Sequence, residues 1–466
     1  MMQDSNDSHL KVKRLTTRQI SAKILSLAVP MTAIQLITVA SGFLCMVMLA
    51  RLGHDVLAAS ALIYSTQMSI IVIGMSILFS LSVLVGHAYG EKNYASIGNY
   101  VQQAWTLGVL ISLPIMLIFY RIETLLLFCG QLKSIVLVVK QFFHAYAWGV
   151  IPTMLLVCNQ QFCYAVHKQK LIIYTSFISI VILLFFAYGL IFGKFGMPNL
   201  GVAGLGYAMA AQNWFAFLFT MLCFYYFDYF KQFDLFNYRV HKNWNYLVRM
   251  FQIGWPISFQ TGGEMLSFFI SAAIIGWLGT VSLAAYQVIN QYRFLVLIPL
   301  FALSQASGIL VGQAFGAKQY YEIQKIGGIS MVISLIASLF IGCLFFFMPK
   351  ALASAYLDVN APANAETVKL ILSLFSITAF ALIVDSFRNV LIGAVRGLLD
   401  TRVPMLVTLL SLWLIGIPLS YFLAFNLNWG VIGVAIGSAS GMLIGAIIMW
   451  FRWRRLSRHY GSILSI

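Results

Sequence analysis

The sequence predicts an all-α polytopic membrane protein, with twelve transmembrane helices arranged as two homologous six-helix bundles. Three observations point there. The 466 residues are 61% hydrophobic and only 9% charged, with a mean hydropathy of +0.90, whereas soluble domains carry roughly 25% charged residues. Apolar runs of about twenty residues recur along the whole chain, the length a helix needs to cross ~30 Å of hydrocarbon. Finally, VGHAYGEKNY at 85–94 is nearly repeated as VGQAFGAKQY at 311–320, an offset of 312 − 86 = 226 residues between Gly86 and Gly312.

That offset holds elsewhere without a gap. Pro30 matches Pro256, Leu52-Gly53 matches Leu278-Gly279, and Leu57-Ala58-Ala59 matches Leu283-Ala284-Ala285. A later echo pairs GVAGLGYAMA at 201–210 with GVIGVAIGSA at 430–439, now offset by 430 − 201 = 229. Small residues at i and i+3 there, Gly201 with Gly204 and Gly430 with Gly433, permit close helix packing. The chain reads as two copies of one unit.

The expected spans follow in order. A polar, basic tail covers 1–23, and the apolar run from Ile24 to about Ala50 is too long for the core of a signal peptide. The N-terminal bundle (24–227) contains spans at 24–50, 57–86, 103–120, 143–166, 171–192 and 201–227. A basic linker occupies 228–249. The C-terminal bundle (250–451) contains 250–277, 281–310, 326–348, 367–395, 403–425 and 429–451, before a basic tail at 452–466. With the N-terminus inside, about 20 Lys and Arg fall on the cytoplasmic side against about 7 outside, which sets both termini in the cytoplasm. The net charge of +16 therefore reports topology and not nucleic-acid binding. An even number of helices per half relates the copies by an axis along the membrane normal. The twinned Gly86/Gly90 and Gly312/Gly316 pairs then sit where the second helix of each half enters a cytoplasmic turn. They allow either a helix C-cap or close helix approach.

Several chemistries are excluded as expectations. The six cysteines have no paired spacing, so no disulfide framework or zinc site is read. No HExxH or phosphate-binding GxxxxGK[ST] occurs, so the chain is not expected to be an enzyme or to use ATP. No cofactor is expected beyond a coupling ion.

Two acids lie within the expected spans. Glu264 is roughly 20 Å and Asp385 roughly 17 Å from the cytoplasmic ends of their helices, at about 1.5 Å per residue. A carboxylate at such depth costs about 2.5–3.5 kcal/mol on insertion scales and normally faces a cavity or a partner. Their repeat equivalents are Thr38 and Leu156, so the acids belong to the C-terminal half alone. Glu264 and Asp385 could hold a proton or Na+, or could be neutralised by Arg388, one turn beyond Asp385, and by Arg293. Candidates for a substrate cavity are Gln35, Tyr64, Gln67, Gln260 and Tyr286, with Gln287, Asn290 and Gln291 sharing a helix face. Interhelical hydrogen bonding is the plainer role for each.

Taken in order, several residues form a specific pattern. They are LAVP at the start of the first span and IGWP opening the seventh, LG followed by LAA in both halves, the twinned VGxAxG turns, and RG closing the tenth span. From about Ala28 to Phe451 the chain resembles the multidrug and toxic compound extrusion (MATE) family, NorM-like branch. The resemblance implies two six-helix bundles around a central cleft. It also implies export of organic cations and amphipathic drugs in exchange for Na+ or H+, with Glu264 and Asp385 as the coupling acids. It implies residence in the cell membrane, the bacterial inner membrane for a NorM-like protein, and action as a monomer. The chain departs from the pattern at Cys45, where many bacterial members carry an aspartate, and at Arg293 and Arg388. A flippase for lipids or lipid-linked oligosaccharides, wanting a basic cavity, is the alternative within transport. A non-transporting receptor or scaffold would leave the two deep acids without a purpose.

Overall fold

The computed structural model describes residues 16–236 and 244–462. Twelve long helices run through them: α1 (Thr17–Ala50), α2 (His54–Leu78, resuming as Ser80–Gly90), α3 (Tyr94–Tyr120), α4 (Lys133–Ala165), α5 (Gln169–Phe192) and α6 (Gly201–Tyr226) in the first half. The second half holds α7 (Trp244–Trp277), α8 (Thr280–Gly316), α9 (Tyr320–Phe347), α10 (Ala365–Gly397), α11 (Arg402–Asn426) and α12 (Gly430–Ser462). Eleven of these are long and apolar enough to cross a membrane. The twelfth, α7, is equally long, but Gln252, Gln260, Thr261, Glu264 and its glycines lower its hydropathy.

The helices outrun the apolar stretches. The first helix begins at Thr17, within the stretch read as tail. Thr16 caps it by accepting the Gln19 N–H at 3.3 Å, while the Gln19 side chain accepts the Thr16 N–H at 2.9 Å. This reciprocal capping box satisfies donors that a helix start leaves open. The last helix carries the RWRRLSR run to Ser462, and α7 begins inside the stretch read as linker. Hydropathy marks only where hydrocarbon must be met; a capped helix continues into water. Lys11, Lys13 and Arg14 of the tail, and Arg239 and Lys242 of the linker, lie outside the described residues.

The twinned motif does more than turn the chain. A Cβ on Gly90 would collide with the carbonyl oxygen of Gln313, and one on Gly316 with the carbonyl oxygen of His87. Gln313 and His87 are themselves repeat mates, since 313 − 87 = 226. One level deeper, Gly86 faces the backbone of Ile309, and Gly312 faces the carbonyl of Val83. The two copies of the motif thus interlock across a pseudo-two-fold axis, α2 against α8, with backbone on backbone. His167 and Gln313 join side chains over this seal at 3.0 Å, and Gln313 also donates to the Ala165 carbonyl at 2.8 Å. Burial lowers the pKa of His167, favouring the neutral ring there. The α7 helix adds Gly254 against the Ile77 carbonyl and a 2.7 Å bond from Ser258 Oγ to the Ile73 carbonyl.

Inside the C-terminal bundle, α10 is drawn against α8 by the same device. Gly308 abuts the Gly393 carbonyl, Gly397 abuts the Gly308 carbonyl, and Ser304 Oγ donates to the Asn389 carbonyl at 2.5 Å. This fixes the depth and rotation of the helix that carries Asp385.

Because the bundles meet through backbone, Gly90→Val and Gly316→Val are expected to pry the seal apart, overpacking of this kind costing about 1–3 kcal/mol. Spin labels at Glu91 and Lys318 should report a longer and broader distance distribution in either variant. Distributions matching the parent would show that the interlock does not hold this end closed.

Candidate cation site and central chamber

The deep acids meet on one guanidinium. Asp385 and Arg388 are successive turns of α10, so their side chains stack on one face. Arg388 is 2% exposed, and its Nε and Nη2 donate to Asp385 Oδ1 at 3.1 and 2.8 Å. The same Nη2 reaches Glu264 Oε1, on α7, at 3.2 Å. Two carboxylates and one guanidinium leave this triad with a formal charge of −1. Gly445 of α12 makes the room, since a Cβ there would touch Ser411 Oγ and come within 3.5 Å of Arg388 Cδ.

A polar chain extends from the triad. Gln260 Nε2 donates to Glu264 Oε1 at 3.4 Å and to Thr408 Oγ1 at 3.1 Å, and Arg388 Nη1 reaches Thr408 Oγ1 at 3.5 Å. Gln260 Oε1 in turn accepts from Arg396 Nη2 at 2.8 Å. Arg396 borders a small space between the bundles, beside Phe79, Ser82 and Val83 of α2. Beyond Thr408, α11 widens into π-helical turns at Ser411–Gly416 and Phe422–Asn426, on either side of Pro418. The proline ring cannot fit the normal α-helical path of the preceding turn, which accounts for the first of them.

Arg293 is placed differently from Arg388. Its guanidinium lies 4.3 Å from the centre of the Phe268 ring, a cation–π arrangement, and its Nη2 has no hydrogen-bond partner. It forms no ion pair among the described residues. With Tyr286, Asn290 and Asp385 it lines a cavity of about 50 Å³ within the C-terminal bundle. Gln287 and Gln291, expected on the same wall as Asn290, are exposed and line neither this cavity nor the larger one. Each residue turns a helix by about 100°, so the face carrying Tyr286, Asn290 and Arg293 points away from both glutamines. Gln260 also departs from expectation: 2% exposed, it belongs to the charge network and not to a cavity wall.

Gln35, Tyr64 and Gln67 come together in the central chamber, about 420 Å³, which Cys45 also lines. Sequence reasoning missed Thr408 and Arg396 as network members. Thr408 carries no charge to betray its depth, and Arg396 reads as one more basic residue at a helix end.

Removing Arg388 leaves the buried Asp385 carboxylate, and the partly exposed one of Glu264, without their shared cation. Breaking a buried ion pair from one side costs about 3–5 kcal/mol, so Arg388→Met should lower the melting temperature of the detergent-solubilised protein well below that of Arg293→Met. Adding Asp385→Asn to Arg388→Met should recover part of the loss. Equal stability of the two arginine variants would show that the triad contributes no net support.

A family model described as MatE matches residues 30–189 and 256–422, one stretch in each bundle. A relative from Synechocystis sp., "Probable multidrug resistance protein NorM", is 29% identical over 434 residues, covering 93% of this chain and 94% of its own. Among solved structures, the eukaryotic MATE transporter AtDTX14 superposes with a TM-score of 0.82 at 19% identity, over 95% of this chain and 98% of that one. A MATE structure in the bent conformation gives 0.87 at 14% identity, over 97% and 100%. Twelve membrane helices in two bundles, a repeat that locks them together and a family match in both halves agree: this chain belongs to the MatE family of membrane transporters.

Proposed function

We propose that the protein is a secondary-active antiporter. It exports amphipathic drugs or toxins, organic cations being the cargo the family resemblance suggests, in exchange for Na+ or H+. Glu264 and Asp385 bind the coupling ion. What supports this is the triad: two carboxylates sharing a single guanidinium deep in a helix bundle, with Arg396 the next cation, one glutamine away. Arg388 is a tethered competitor for the same oxygens, holding the carboxylates when no ion is bound. The ion must bind one conformation better than the other, because equal affinity shifts no population. The chain from Glu264 through Gln260 to Arg396 is a physical route by which ion binding reaches the contact between the bundles.

The excess of Lys and Arg on one side supports a cytoplasmic position for both termini. The interlocked glycines then close the cytoplasmic end of the cleft, and the coupling ion enters from outside. A bacterial inner membrane and a monomeric transporter complete this reading. The flippase alternative fits less well. Among the described residues the chamber has no charged lining residue, and the cavity beside Arg293, about 50 Å³, is well below the ~300 Å³ of ordinary ligand pockets.

Efflux of ethidium and of N-phenyl-1-naphthylamine from vesicles, driven separately by a sodium and a proton gradient, tests the proposal. One gradient should drive export by the parent protein. Glu264→Gln, inserted at equal level, should abolish that response. An unchanged response in Glu264→Gln would remove this acid from coupling, and no export of either probe under either gradient would remove antiport.

A further inference from the structure

The central chamber is enclosed mostly by the N-terminal bundle, with Phe294, Phe301 and Gln305 of α8 closing one side. No Asp, Glu, Lys, Arg or His occurs among its described lining residues. Its polar groups are carboxamides and hydroxyls set among methionine, isoleucine and phenylalanine side chains. A permanent cation entering this space sheds water and meets no counter-charge, a transfer that is costly unless the charge is paired.

Two of the chamber's polar groups wait for a partner. Gln161, on α4, is 3% exposed, and its Oε1 makes no hydrogen bond. Ser179, on α5, is 2% exposed, and its Oγ makes none either. Both line the chamber. Buried polar atoms are normally satisfied, and an unmade bond is unfavourable. Together they present one acceptor and one hydroxyl that can donate or accept, within apolar walls.

We infer that the chamber binds an uncharged amphiphile with an apolar body and at least one N–H or O–H donor, and that permanent cations are the poorer cargo. For movement of that cargo the inference rests on the antiport reading; for its binding it does not. A stoichiometric consequence follows. One cation entering against one uncharged molecule leaving carries a net charge, so an interior-negative potential drives the exchange. Exchange against a monocation would be electroneutral.

The test is binding to the purified full-length protein, followed by fluorescence, with two probes. N-phenyl-1-naphthylamine is uncharged and carries one N–H; ethidium is a permanent cation. The naphthylamine should bind saturably and about tenfold or more tighter than ethidium, a difference of ~1.4 kcal/mol. Gln161→Leu should weaken the naphthylamine and leave ethidium alone. Cys45→Asp, which places a carboxylate in the chamber, should reverse the preference, and it decides the matter if Gln161→Leu does not fold. Equal or tighter binding of ethidium to the parent protein, no saturable binding of either probe, or naphthylamine binding indifferent to the substitutions overturns the inference. In proteoliposomes at fixed ion gradient, an interior-negative potassium–valinomycin potential should speed naphthylamine export. Export without that response overturns the uncharged-cargo stoichiometry. Intact binding preferences with no gradient-driven export would instead remove antiport and leave the chamber's assignment standing.

Discussion

The guanidinium of Arg388 is the point on which the C-terminal bundle turns. Two carboxylates at membrane depth repel each other, and the guanidinium placed between them makes the burial of Asp385 and the partial burial of Glu264 tolerable. Its own burial is tolerable only because both acids and the Thr408 hydroxyl surround it. That mutual dependence dictates neighbouring choices. Gly445 must lack a side chain, α10 must lie deep against α8, and α11 must pass close enough to offer Thr408.

The scaffold is symmetric and the chemistry is not. Gly86, Gly90, Gly312 and Gly316 build one reciprocal contact from two copies of a motif, each glycine facing the other copy's backbone. Contact of this kind gains dispersion energy over many atoms while committing few hydrogen bonds. It can therefore hold the bundles together at one end and still be released. The polar chain ending at Arg396 reaches this interface from the acid-bearing side alone. An asymmetric hydrogen-bond chain thus ends at a symmetric joint.

The N-terminal bundle has taken the complementary part. Where the C-terminal bundle concentrates its charges, the chamber is lined by neutral polar groups among apolar ones. The ionic network and the uncharged chamber are thus kept apart in the two bundles. This separation leaves communication between them to the rigid helices α7 and α8, which touch both bundles.

Much of this was legible in the residues themselves. Hydropathy marked the spans because crossing hydrocarbon demands a fixed length of apolar helix, and the 226-residue offset exposed the duplication. The depth of Glu264 and Asp385 singled them out because an intramembrane charge is too costly to be incidental. Helix ends were less legible, since beyond the hydrocarbon nothing in hydropathy stops a helix: α1 starts at its Thr16 cap, and α12 runs on through its arginines. Rotation and approach belonged to the tertiary structure. Arg293 and Arg388 are equivalent as letters, yet one stacks on Phe268 and the other holds both acids. Gln287, Asn290 and Gln291 are close along one helix, yet only Asn290 faces the cavity. Sequence determined which groups had to be accommodated within the membrane. Packing alone decided which partner each would meet, because that depends on how far each helix is turned and how closely its neighbour approaches.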